Sequence, residues 1–183
     1  EVDSTDSTDS TDSTDSTGST GSTGSTDSAE PIETVISVPE QAANTQHVYV
    51  SDSQLSEDGS QVTVTLSYKS DDSSTTGVGF AVNFDSGILS LNNVSEVAND
   101  AIAYGNLNAD GNALDFGFAS LFGQFPGSEA ADLATITFDI AEGATGSTAL
   151  EIEVGSAAAG FAFDGQSHDV VITAEPVDSG VSV

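Results

Sequence analysis

Asn106, Asn108 and Asp110, followed by Gly111 and Asn112, set side-chain oxygens at alternate positions around a sharp bend. That is how a calcium loop begins, because oxygens spaced by two converge on one ion and glycine permits the turn. The twelfth position would be Gly117, where such a loop needs a bidentate glutamate. An Asp-Gly pair between apolar stretches is also a hairpin turn in its own right, so a turn and an irregular Ca2+ site both stand as readings. Asp71 and Asp72, with Glu57 and Asp58 near the other end of the same segment, form a second oxygen cluster that reads either as a cation site or as solvated loop carboxylates.

Nucleophilic and acid–base chemistry have less to work with. His47 and His168 are the two imidazoles, cysteine is absent, and no serine lies in a Gly-x-Ser-x-Gly elbow. Thirty carboxylates could supply a glycosidase pair, but no tryptophan is present to hold a sugar ring. These residues predict no catalytic centre and no required cofactor. Asn93-Val94-Ser95 has the form of an N-glycan acceptor. Phe122, Phe125 and Pro126 lie in a glycine-rich stretch, LFGQFPG, suited to plug the end of a fold or to touch a partner.

Charge narrows the class of partner. Thirty acidic residues face one basic residue, Lys69, for a formal charge of −29. A field of that sign repels nucleic-acid phosphates and anionic lipid head groups, so neither is expected as a ligand. No apolar run approaches the roughly 20 residues that span a bilayer, and no membrane insertion is expected. The first residue is glutamate, which suggests a processed chain and a secreted or cell-surface location.

The N-terminus is a repeat: Asp-Ser-Thr five times and Gly-Ser-Thr three times fill residues 3–26. Without apolar side chains to bury, such a stretch cannot offset the entropy of ordering, and its regularly spaced carboxylates extend it. We read residues 1–28 as an arm, whose repeat at 3–26 would reach about 75 Å if it were polyproline-like at ~3.1 Å per residue. It is a solvated linker or, if outside the cell, a sugar-coated stalk. The O-glycan acceptors would be Ser4, Thr5, Ser7, Thr8, Ser10, Thr11, Ser13, Thr14, Ser16, Thr17, Ser19, Thr20, Ser22, Thr23, Ser25 and Thr26.

Residues 29–44 differ in character. Ile32, Thr34, Ile36 and Val38 share one side of an alternating segment bracketed by Pro31 and Pro39. Prolines at both ends mark an edge-type strand. It packs either on its own domain or on the sheet edge of a neighbouring copy, which would build a homopolymer.

The body, residues 45–175, alternates with period two. Val62, Val64, Leu66 and Tyr68 interleave with Thr63, Thr65 and Ser67, and Val78, Phe80, Val82 and Phe84 interleave with Gly79, Ala81 and Asn83. These two segments read as a hairpin over which a second sheet must lie. His47–Ser51, Ile88–Val94, Ala101–Tyr104, Leu114–Phe118, Ala134–Ile140, Leu150–Val154 and His168–Thr173 add further short strands, with Phe161 and Phe163 before the last. The sum is an all-β, jelly-roll or Ig-like β-sandwich of about nine strands, with residues 176–183 as a tail.

The segments VTVTLSY, GVGFAVNFDSGILSLNNV, with Phe84, Asp85 and Leu89 at a turn, and LATITFDIAEGATGSTALEI resemble a cohesin-type domain over Val48 to Thr173. The resemblance implies a nine-stranded jelly-roll that serves as a non-catalytic binding or scaffolding module. Better-known members of that family bind a calcium-loaded dockerin through one sheet face. The expectation is a secreted structural or adhesive subunit of an extracellular filament, assembled by strand addition and carrying a glycosylated arm. The alternative is a monomeric module that recognises a protein or carbohydrate partner.

Overall fold

The computed structural model describes residues 36–71, 75–96, 102–120 and 129–172. The chain divides into two units, Glu1–Pro31 and Ile32–Val183. The first unit, with all the arm's hydroxyls, lies outside the described residues, as do Ile32, Thr34, Asp72, the Phe122–Pro126 stretch and the tail.

Ten strands follow in order: β1 Thr45–Leu55, β2 Gln61–Ser70, β3 Gly77–Asn83, β4 Leu89–Glu96, β5 Ile102–Leu107, β6 Ala113–Ala119, β7 Ala131–Ile140, β8 Gly146–Ser156, β9 Ala162–Gly165 and β10 His168–Ile172. There is no helix among the described residues, and hence none long and apolar enough to cross a membrane. The first sheet has the order β4-β7-β2-β1-β9 and the second β10-β8-β3-β6-β5. Pairing is antiparallel throughout except between β1 and β9. The chain is therefore the expected β-sandwich.

One expectation is overturned. β2 and β3 do not form a hairpin: β2 pairs with β1 and β7, whereas β3 pairs with β6 and β8 in the opposite sheet. Paired as neighbours, the two would have left both apolar rows on one side, waiting for a cover. Placed in different sheets, Val62, Val64, Leu66 and Tyr68 meet Val78, Phe80 and Val82 in a single core. Within the second sheet Phe80 stacks on its cross-strand neighbour Phe116 with centroids 5.3 Å apart, and across to the first sheet Phe84 tilts against Phe138 at 4.9 Å. Each such buried ring contributes about 2–3 kcal/mol through lost apolar surface alone.

Turns are locked by short polar side chains. The Asp85 carboxylate accepts the Gly87 amide at 2.8 Å, and the Asp85 carbonyl accepts the Leu89 amide at 2.8 Å, which launches β4. Asp58 accepts from the Ser56 hydroxyl at 2.7 Å and the Ser60 hydroxyl at 2.8 Å. Those bonds hold its carboxyl down at about 2. Gly59 follows with φ at 69°, the left-handed conformation this turn needs. Of the proline-bracketed segment, Ile36 and Val38 are described; they belong to no strand of this chain, Ile36 half-buried and Val38 58% exposed.

Candidate functional site

The two sheets turn very different outer faces to solvent. In the second sheet, alternation sends Val78, Phe80 and Val82 of β3 into the core and turns Gly79, Ala81 and Asn83 the other way, where Gly79 is buried against Ser156 and Ala81 and Asn83 are half-buried. On β6, Leu114, Phe116 and Phe118 point in, while of the alternate positions Asp115 and Ala119 are exposed and Gly117 is buried. The register aligns these into rows across the sheet. Asp115 pairs with Ala81, and Ala81 with Glu153 of β8; Gly117 pairs with Gly79, and Asn83 with Glu151. The result is a recessed floor, half-buried Ala81 between the buried Gly79 and Gly117, flanked by the exposed carboxylates of Asp115, Glu151, Glu153 and, on β10, Asp169. A groove of about 380 Å³ opens on it between Gly77, Gly79 and Gly117 and the segment from Ser156 to Ala159. The single cationic side chain, Lys69, belongs to β2 in the other sheet.

The first sheet's outer face is plated with hydroxyls that engage one another. Thr63 Oγ1 lies 3.2 Å from Thr137 Oγ1, and Ser67 Oγ lies 2.6 Å from both Ser51 Oγ and Asp132 Oδ1. Gln61 Nε2 donates to Asp139 Oδ1 at 2.7 Å. Tyr49 is buried beside them, and burial, with the charge of Asp132, raises its phenol pKa. Side chains already paired with their neighbours leave few free polar groups to meet a partner.

The residues singled out for chemistry are distributed as follows. Asn108 and Asp110 sit in the β5–β6 turn, whereas Asn106 lies within β5, in register with Asp115. The Asn108 carboxamide oxygen accepts the amides of Asn112 at 3.1 Å and Ala113 at 3.3 Å, and Gly111 has φ at 72°. Those bonds build a hairpin turn out of the motif. Asp71 accepts the Asn44 amide at 2.7 Å. Among the described residues no three His, Cys, Asp or Glu side chains gather as a metal site.

His47 Nδ1 lies 2.8 Å from Asp164 Oδ2 on the neighbouring strand β9, with its Nε2 buried and unpartnered. His168 pairs with Leu150 at the start of β10, and its Nε2 is likewise buried without a partner. Burial lowers the His168 pKa, partly opposed by the charge of Asp169. The two imidazoles thus lie in different sheets.

Reasoning from motifs overlooked the small-residue face. Its signal was nonetheless present in GVGFAVN and ALDFGFA, where the solvent-side positions that usually hold Thr, Lys or Glu hold Gly and Ala instead.

Comparison with known proteins agrees with this architecture. The family model for the cohesin domain matches residues 47–182. Among solved structures, the seventh ScaB type I cohesin from Pseudobacteroides cellulosolvens is 20% identical, with a TM-score of 0.57 over 73% of this chain and 96% of its own. The OlpA cohesin–Doc918 dockerin complex from Clostridium thermocellum matches at 12% identity and a TM-score of 0.57, covering 70% and 99% of the respective chains. A non-cellulosomal cohesin from the archaeon Archaeoglobus fulgidus matches at 14% identity and a TM-score of 0.50, covering 68% and 88%. At such identities the likeness speaks for the fold. No curated protein sequence matches the chain. The family match spans well over half of the residues and coincides with the sandwich itself: this chain belongs to the cohesin domain family.

Proposed function

We propose that this protein is a non-catalytic, extracellular binding module that docks a small protein of the dockerin kind on the outer face of the β10-β8-β3-β6-β5 sheet. The observation that carries the reading is the row Asp115–Ala81–Glu153, carboxylate and methyl side by side on a glycine-lined floor with no cation to neutralise them. A flat surface of small side chains lets a partner's backbone approach closely, and flanking negative charge favours a partner bearing Lys or Arg. The OlpA–Doc918 complex is a cohesin fold of this kind bound to a dockerin. The arm then serves as a spacer or glycan-bearing stalk.

The test is binding with the face altered one side at a time. Proteins from the source cells retained on the immobilised chain are identified, and the best-retained one is titrated against Ala81→Trp and against Thr65→Trp on the opposite sheet. Saturable binding that Ala81→Trp abolishes and Thr65→Trp preserves supports the reading. Equal effects from both variants, or no saturable protein partner, defeat it.

A second reading is favoured by one observation: Ile36 and Val38 join no strand of this chain, and Val38 is 58% exposed. The segment from Ile32 to Val38 is then a donor that pairs with the sheet edge of a second copy and builds a filament. Electron microscopy of the chain with and without residues 29–40 decides it: filaments lost on deletion support assembly, and monomers in both preparations remove it.

A further inference from the structure

We propose that Asn93 Nδ2 is the attachment point of an N-linked glycan, and that this glycan closes the β4 edge of the first sheet against strand addition. The argument starts from a break in the β4–β7 ladder. Leu91 pairs with Phe138, but the next pair is Asn93 with Thr137, so Asn92 is an extra residue, a bulge. Leu89 is buried and Leu91 packs on the core. Unbroken alternation would point Asn93 inward and Val94 out. The bulge reverses this: Val94 packs against the core, while Asn93 and Ser95 are both exposed.

The two adjacent asparagines then differ in what they are free to do. Asn92 Nδ2 donates to both oxygens of Asp139, at 3.0 and 3.1 Å, and its second neighbour is Val94. Asn93 makes no side-chain hydrogen bond among the described residues, and its second neighbour is the hydroxyl-bearing Ser95. The free carboxamide is the one with the acceptor triplet.

The edge itself supplies a need. At eight residues β4 is the longest of the four edge strands, against six for β5, five for β10 and four for β9. Its sequence, LSLNNVSE, has no Lys or Pro to discourage pairing. A hydrophilic oligosaccharide at its midpoint blocks another chain from hydrogen-bonding there. It also leaves the second sheet's outer face uncovered, so this inference stands apart from the docking proposal.

The chemistry balances with a lipid-linked oligosaccharide as donor. Asn93 Nδ2 forms a bond to the anomeric carbon, the bond from that carbon to the polyprenyl phosphate oxygen breaks, the electron pair leaves with the phosphate, and Nδ2 gives up one proton.

Two measurements test it. The chain is purified from its own cells with Ser95 intact, as Ser95→Thr and as Ser95→Ala, and cut at acidic residues; the peptide holding Asn93 is then weighed. A mass excess in sugar-sized steps on the native and Ser95→Thr peptides, absent from Ser95→Ala, is expected. An unmodified native peptide, or an excess that survives Ser95→Ala, overturns the site. For the edge, Asn93→Gln from the same cells should elute as larger species than the glycosylated chain as concentration rises. Coincident elution at every concentration overturns the shielding role.

Discussion

Gln46 and Tyr68 are both fully buried, and the Gln46 carboxamide donates to the Tyr68 hydroxyl across 2.8 Å. The same nitrogen donates to the Gly77 carbonyl at 3.0 Å, and Gln46 Oε1 accepts the Ala158 amide at 2.7 Å. Tyr68 in turn meets Thr75 Oγ1 at 3.3 Å. One glutamine at the head of β1 therefore ties β2, the entry to β3 and the segment after β8, joining the two sheets at one end of the sandwich.

Replacing Gln46 by Leu keeps the volume and takes the carboxamide away from the Gly77 carbonyl and the Ala158 amide, a cost of about 3 kcal/mol. Tyr68→Phe removes a hydroxyl and should cost about 1 kcal/mol. Urea unfolding with an unchanged slope reads both. A Gln46→Leu loss no larger than that of Tyr68→Phe would show that the carboxamide is not the hub of this network.

The His168 ring makes folding sensitive to mild acid. Burial holds its folded-state pKa below the ordinary value of about 6.5. The unfolded chain therefore takes up the proton first as pH falls. The stability this neutral ring contributes is intact above pH ~6.5 and is lost as pH drops toward the folded-state value. His168→Leu removes that proton uptake, while every carboxylate titrates in both proteins. Between pH ~8 and pH ~5 the native chain should lose more unfolding free energy than the variant; parallel curves would refute the assignment.

Much of this architecture was legible in period-two alternation, because a strand with one buried face must write that face into every second residue. Alternation says nothing about which strand lies alongside, so the sheet change between Tyr68 and Val78 was not readable. The β4 bulge did leave a trace: Leu91 and Val94 are three apart, and both can be buried only if the ladder slips between them. The proposed docking floor was hidden because Gly79, Ala81 and Gly117 carry no chemistry of their own and gain meaning only once the register sets them between carboxylates. Gln46 was unreadable for another reason: its partner Ala158 is 112 residues away.

The Asn108 turn gives a direct check on the calcium reading. Its side-chain oxygen already serves the Asn112 and Ala113 amides and its nitrogen donates to Asn112 Oδ1, so Asn108→Ala removes three hydrogen bonds from the hairpin turn. A loss of about 1–2 kcal/mol is expected, equal in calcium and in chelator. A loss that appears only when calcium is present would instead make Asn106, Asn108 and Asp110 ion ligands.

A formal charge of −29 carries its own consequence for stability. Like charges on a compact sandwich repel more than on an expanded chain, so self-repulsion favours unfolding. Salt shortens the range of that repulsion from about 10 Å at 0.1 M to about 3 Å at 1 M. The urea midpoint should therefore rise over that range, by the same amount in sodium and in potassium chloride, since screening depends on ionic strength and not on the ion. The opposite sign is expected for the proposed docking face: if its carboxylates steer a basic partner, association should slow as salt increases. A midpoint that ignores both monovalent salts but climbs at millimolar calcium would shift the weight from diffuse repulsion to a specific cation site.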